Sequence, residues 1–209
     1  MRDVVVAVYD SRKLVKILNM LNNYMVSVKG IDERIRRIHG IVIADENGLK
    51  YMDEMHIEVN GIVLNIDSIG IERGTIMGVI LSRTSDSEIE SVIIGIDYGE
   101  KIGIAILANS DVVFVNSYRD KVEALRVVRM FIDGVNAERK IVRIGLPSKH
   151  HRGYDNFVES LANTVKDSAI VEFVSENGSS KRKLVAGSIK IDEDSLAAVN
   201  IALQRIYND

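Results

Sequence analysis

The chain of 209 residues has no cysteine, which excludes a disulfide framework and a thiolate zinc centre. Aromatic residues are scarce as well, at 5%. Ile and Val supply much of the apolar content, a bias towards strands. No apolar run approaches the ~20 residues that a bilayer-spanning helix requires. The opening MRDVVVAVYDSRK meets acidic and polar residues too early for a secretory signal. By elimination these absences point to the cytoplasm and to no membrane partner.

Charge of one sign is also lacking. A formal net charge of −3 argues against a generic nucleic-acid coat. The acidic excess lies at the front: residues 92–209 hold 16 Lys/Arg and 16 Asp/Glu, leaving 11 and 14 for residues 1–91. A neutral back part that gathers acids in one place carries basic surface elsewhere, which is compatible with a nucleic-acid substrate.

The pattern predicts two domains, an N-terminal α/β domain over 1–85 and a second over 90–209, with the polar stretch Ser82–Ser91 between them. In the first, VVVAVY reads as a strand. SRKLVKILNMLNNYM reads as a helix with Leu14, Ile17, Leu18 and Leu21 at helical spacing and Ser11 as N-cap. VSVKGI follows as a strand, DERIRRI as a charged helical piece, and GIVIADE as a strand ended by Asn-Gly. This β-α-β-α-β order predicts a small Rossmann-like parallel sheet. HIEVNGIVLNID reads as two strands around an Asn-Gly hairpin turn, and GTIMGVILS as a further strand. Asp10, Asp45 and Glu46 follow strands and read as ordinary loop acids.

The second domain opens with SVIIGID, KIGIAILAN and DVVFVNSY, strands too closely spaced for helical crossovers and so an antiparallel meander. A helix follows with Val122, Leu125, Val128 and Ile132 on one face, then strand KIVRIGLP, helix YDNFVESLANTVKDS, strand AIVEFVSE and helix DEDSLAAVNIALQRIY. The β-β-β-α-β-α-β-α order is the layout of a ribonuclease H-like mixed sheet.

That layout could bring three acids together. Asp97 ends the first strand of the meander, Glu176 ends IVEFVSE, and Asp194 lies in the first turn of the last helix. Strand alternation puts Glu172, Val174 and Glu176 on one face. Asp192 and Glu193 also fit a first-turn role favoured by the helix dipole. Clustered carboxylates repel unless a divalent cation neutralises them, and oxygen-only donors suit Mg²⁺ or Mn²⁺. Such ions support phosphodiester cleavage.

Four segments then resemble one family. IGIDYGEKIGIAI resembles the opening motif of YqgF-type proteins, a branch of the RuvC-like nucleases. IGLPSKHHRGYDNFVESLANTV resembles the family's Gly-Leu-Pro strand end, polar loop and helix. VEFVSENGSS resembles its Val-x-Phe-x-Asp-Glu-Arg-x-Thr/Ser segment, and DSLAAVNIALQRIY its Asp-Ser-hydrophobic-Ala-Ala helix. The resemblance covers residues 92–207 and implies a metal-dependent nuclease, a Holliday-junction resolvase or a processor of precursor ribosomal RNA. It puts Asp97, Glu176 and Asp194 on the catalytic, metal-holding acids. Lys101, Lys149, His150, Arg152, Lys181, Arg182 and Lys183 are the expected contacts to the substrate backbone. Two positions depart from the family: Ser175 stands for its Asp and Asn177 for its Arg, a phosphate-contacting residue type. An inactive ribonuclease H-like module that binds nucleic acid is the alternative. A symmetric cutter of branched DNA would act as a homodimer.

Overall fold

A computed structural model describes residues 1–32, 34–147, 152–175 and 192–204. Contacts divide the chain into two units, Met1–Glu88 and Ile89–Asp209.

The first unit begins with β1 (Val4–Ala7), buried at every residue, as central parallel strands are. Helix α1 (Ser11–Asn23) follows and buries Ile17 and Leu21. Its N-cap is Asp10 rather than the expected Ser11: the Asp10 carboxylate accepts from the backbone N–H groups of Arg12 and Lys13, which lowers its pKa. The remaining elements are β2 (Val28–Gly30), β3 (Arg37–Ala44), α2 (Glu46–Glu54), β4 (Glu58–Asn65), α3 (Ile66–Ile69) and α4 (Ile71–Arg83). The strands run in the order β2-β1-β3-β4, all parallel.

Four further sequence expectations are corrected in this unit, and glycine is the common cause of three. Asn60-Gly61 makes no hairpin; β4 runs straight through it beside β3. A Cβ on Gly61 would lie 1.9 Å from the Gly40 carbonyl oxygen, so the glycine serves close strand approach. Asn47-Gly48 does not end a strand but sits in the first turn of α2, where a Cβ on Gly48 would lie 1.7 Å from the Ala7 carbonyl oxygen. GTIMGVILS is helix, not strand: Gly74 and Gly78 face Ile66 and Ile43 at 2.8 Å from an ideal Cβ. DERIRRI is not helical among its described residues: Arg37 and Ile38 belong to β3, and Ile35 packs with Ile31 against the core formed by Val5, Ala7 and Val42.

The second unit contains β5 (Ser91–Tyr98), β6 (Ile102–Ala108), β7 (Asp111–Tyr118), α5 (Lys121–Gly134), β8 (Arg139–Leu146), α6 (Tyr154–Val165), β9 (Ile170–Ser175) and α7 (Glu193–Leu203). The sheet order is β7-β6-β5-β8-β9. The first three strands are antiparallel neighbours, and β8 and β9 extend the sheet in parallel from β5. The chain is thus α/β, with one parallel and one mixed sheet.

The two faces of this second sheet differ in scale. Ile94 and Ile96 on β5, Ile104 and Ile106 on β6, and Phe114 on β7 point one way. There Phe114 stacks on Phe131 of α5 with centroids 5.8 Å apart, and Tyr98 packs 5.0 Å from Phe157 of α6. The buried face of α5 is formed by Ala124, Val127, Val128, Phe131 and Ile132; Val122, expected there, is 74% exposed. The opposite face offers Gly95, Gly103, Ala105 and Leu107. Helix α7 lies on it through Ala198, Val199 and Ala202.

Candidate functional site

Asp97 is not a turn residue. It lies inside β5, paired with Gly103 of β6, and is half-buried. The turn itself is formed beyond it, where the Gly99 N–H donates to the Lys101 carbonyl oxygen at 3.1 Å. Because Ile94, Ile96 and Tyr98 face α5 and α6, alternation turns Gly95 and Asp97 to the face covered by α7.

Helix α7 brings Asp194 to the same place. An ideal Cβ on Gly103 would lie 2.2 Å from the Asp194 carbonyl oxygen. Asp194 therefore sits directly over the cross-strand partner of Asp97, and it too is half-buried. Its neighbours have other tasks. Asp192 is the N-cap of α7: it accepts from the Ser195 N–H at 2.8 Å and from the Ser117 hydroxyl of β7 at 3.0 Å. Burial acts to raise the Asp192 pKa. The hydrogen bonds from Ser195 and Ser117, with the Lys101 charge, outweigh that and hold it below the ordinary carboxylate value. Glu193 is exposed in the first turn.

Two of the three acids expected to share an ion thus converge on one sheet face at the end of β5. Glu176 lies outside the described residues, and β9 ends at Ser175. Among the described residues no group of three His, Cys, Asp or Glu side chains could hold a metal ion. The donor set present, two half-buried carboxylates, fits the oxygen-ligand chemistry of Mg²⁺ or Mn²⁺ with a third donor still to be supplied.

Of the expected backbone contacts, Lys101 is half-buried in the β5–β6 turn, near enough for its charge to act on Asp192. Arg152 is exposed, and its carbonyl oxygen accepts from the Tyr98 hydroxyl at 3.5 Å. Lys149, His150, Lys181, Arg182 and Lys183 lie outside the described residues. Two further cations of this unit, Lys121 and Arg143, are not among the contacts expected from the sequence. The Lys121 ammonium lies 5.1 Å from the Tyr98 ring centroid and 3.5 Å from the Gly153 carbonyl oxygen. Nothing in the local sequence signals that contact, which depends on α5 meeting the α6 N-terminus. Arg143 is buried on β8, and its signal was legible: a charge inside the apolar run IVRIG.

In the first unit, the strand-end acids serve the fold. Asp45 is 1% exposed and accepts from the backbone N–H groups of Tyr9, Asp10 and Gly48. It fixes the β1–α1 turn and caps α2. A cavity of about 450 Å³ opens beside Val6, Val8, Leu14, Leu18 and Lys29.

No family model matches the chain, and no curated protein matches it. Eight chains of solved structures match. One is a Bacteroides thetaiotaomicron protein described as having an actin-like ATPase fold and unknown function. It is 11% identical, with a TM-score of 0.30 over 77% of this chain and 75% of that one. No described helix is long and apolar enough to cross a membrane.

Proposed function

We propose that the Ile89–Asp209 unit is a ribonuclease H-like nuclease of the YqgF/RuvC type. It would hydrolyse phosphodiester bonds in structured RNA or branched DNA with Mg²⁺ or Mn²⁺. The observation that carries this reading is the placement of Asp194 over Gly103, the strand partner of Asp97. Two further features support it: the order of three antiparallel strands extended by two parallel ones, and the four motif resemblances in their expected order.

Asp97 and Asp194, with Glu176 as third donor, would hold the cation. When bound, the ion supplies charge neutralisation and Lewis-acid activation of the phosphodiester. The chain's own part is to keep two carboxylates half-buried on a rigid strand and the first turn of a helix, so that their geometry is set before substrate arrives. Asp192 fits that set less well, because its Oδ1 caps α7 and its Oδ2 accepts from the Ser117 hydroxyl. Lys101 and Arg152 would supply positive charge to a phosphate backbone crossing the strand end.

With Mn²⁺, the protein should cleave structured RNA or a four-way DNA junction. Asp97→Asn and Asp194→Asn should each lower the rate by on the order of 10³-fold or more and weaken calorimetric Mn²⁺ binding. Undiminished cleavage by folded Asp97→Asn would overturn the assignment. The second reading, a module that binds nucleic acid without cutting it, is favoured by Ser175 and Asn177 standing where the family has Asp and Arg. It predicts nucleic-acid binding with no divalent-ion binding in the same titration.

A further inference from the structure

We propose that Arg143 is a positioning residue for the carboxylate site: it fixes α7 against the sheet and so sets where Asp194 stands relative to Asp97. What the site binds rests on the nuclease reading above. Arg143 lies in the middle of β8, in register with Gly95 of β5 on one side and Glu172 of β9 on the other. It is 6% exposed. Its Nε donates to the Glu172 carboxylate at 2.8 Å, and its Nη1 donates to the Ala202 carbonyl oxygen in the last turn of α7 at 2.7 Å. One guanidinium therefore ties three elements: β8, β9 and α7. Two of them carry or lead into positions of the expected acids.

A simple packing role does not require this residue. Its neighbours along the strand, Val142 and Ile144, are fully buried apolar residues. A buried ion pair is seldom more stabilising than hydrophobic residues of similar volume. What the planar guanidinium adds is direction, since its donors point along fixed lines. Helix α7 needs that. It meets the sheet through backbone and small side chains: an ideal Cβ on Gly95 would lie 2.1 Å from the Ala198 carbonyl oxygen and 2.7 Å from the Ala202 nitrogen. Such a smooth contact has few interlocking side chains to stop the helix sliding along its axis. Polar clamps hold its two ends, Asp192 with Ser117 at the N-terminus and Ala202 with Arg143 at the C-terminus. Ala202 and Asp194 are about 12 Å apart along a helix of 1.5 Å rise, and a helix moves nearly as a rigid rod. An axial slip at Ala202 is carried to Asp194.

The test uses the full chain and three variants: Arg143→Met, Arg143→Lys, and Arg143→Met combined with Glu172→Leu. The combined variant removes both charges, so it keeps the fold where the single Met replacement would strand Glu172. Three quantities are read: hydrogen exchange of the α7 amides, the calorimetric Kd for Mn²⁺, and the Mn²⁺ dependence of cleavage. In the folded combined variant α7 should exchange faster. Mn²⁺ affinity should fall roughly tenfold, the lower end for residues that orient metal ligands. The Mn²⁺ concentration for half-maximal rate should rise with substrate KM unchanged, and saturating Mn²⁺ should recover part of kcat. Arg143→Lys, which keeps a donor for Ala202, should recover part of the affinity. Unchanged α7 exchange overturns the anchoring, whatever the metal does. Faster exchange with unchanged Mn²⁺ affinity reduces Arg143 to a structural residue and overturns the inference. A wild-type protein that binds no Mn²⁺ overturns the nuclease reading, and this inference with it.

Discussion

Gly103→Ala tests the contact on which the site depends. The added methyl would start 2.2 Å from the Asp194 carbonyl oxygen and 2.6 Å from its carbonyl carbon. Real Cβ contacts do not fall below 3.0 Å. The neighbour is helix backbone, which cannot rotate away as a side-chain tip can. The first turn of α7 must therefore lift by at least about 0.8 Å, an overpacking that costs about 1–3 kcal/mol. With a urea slope of about 2 kcal/mol per M, a loss of about 2 kcal/mol moves the unfolding midpoint down by about 1 M. On the proposed nuclease reading the same lift shifts Asp194 relative to Asp97, and a displacement of about 1 Å at a reacting centre costs about 10²-fold in rate. Gly99→Ala is the control: its Cβ would meet only the Lys101 carbonyl oxygen at 3.5 Å, and its stability should stay within about 0.5 kcal/mol of wild type. Urea unfolding, Mn²⁺ calorimetry and cleavage rates are measured on both variants. A Gly103→Ala protein as stable as wild type refutes the close approach of α7. One that is destabilised yet binds Mn²⁺ undiminished refutes the role of Asp194 in the site.

Asp192→Ala should cost about 1 kcal/mol, the worth of a helix N-cap, measured by urea unfolding. The Asp192 carboxyl is held below its ordinary value of 3.8 in the folded chain. Its contribution is therefore present above that value and lost as pH falls through the folded pKa, and the gap between wild type and variant should close in acid. Asp45→Ala leaves three backbone N–H groups without their acceptor and should cost about 3 kcal/mol. The loss should appear as faster hydrogen exchange within Met1–Glu88, with exchange in Ile89–Asp209 unchanged. On the proposed reading, Lys101→Ala should weaken nucleic-acid binding and reduce the salt dependence of log K by about one counterion, read from binding isotherms at several salt concentrations.

The second unit was largely legible because its signals are local. Each strand of the meander is a run of Ile and Val bounded by turn residues, and every helix carries a recognisable cap or stripe. Asp97 and Asp194 stood out as acids at element ends. The first unit was harder because its glycines answer to partners distant in sequence. Gly48 faces Ala7, Gly61 faces Gly40, and Gly78 faces Ile43. Read locally, each looks like punctuation, which divides β4, hides α2 and gives α4 the look of a strand. Arg143 shows the same limit from the other side. Its buried charge was visible in IVRIG, but its purpose depends on Glu172 and Ala202, 29 and 59 residues away.

The unequal faces of the second sheet bear on the proposed function as well as on packing. A sheet built for stability alone would place large apolar residues on both faces, since each fully buried Ile or Leu contributes about 1.5–3 kcal/mol. The face towards α5 and α6 does so with Ile94, Ile96, Ile104, Ile106 and Phe114. The face towards α7 gives up that contribution at Gly95, Gly103 and Ala105, and α7 answers with Ala198 and Ala202. What the exchange secures is distance. A helix resting on glycine brings its backbone close to the sheet, so that the first turn of α7, with Asp194, lies over Gly103, the strand partner of Asp97. On the proposed nuclease reading, that closeness is what a divalent cation shared by the Asp97 and Asp194 carboxylates would require.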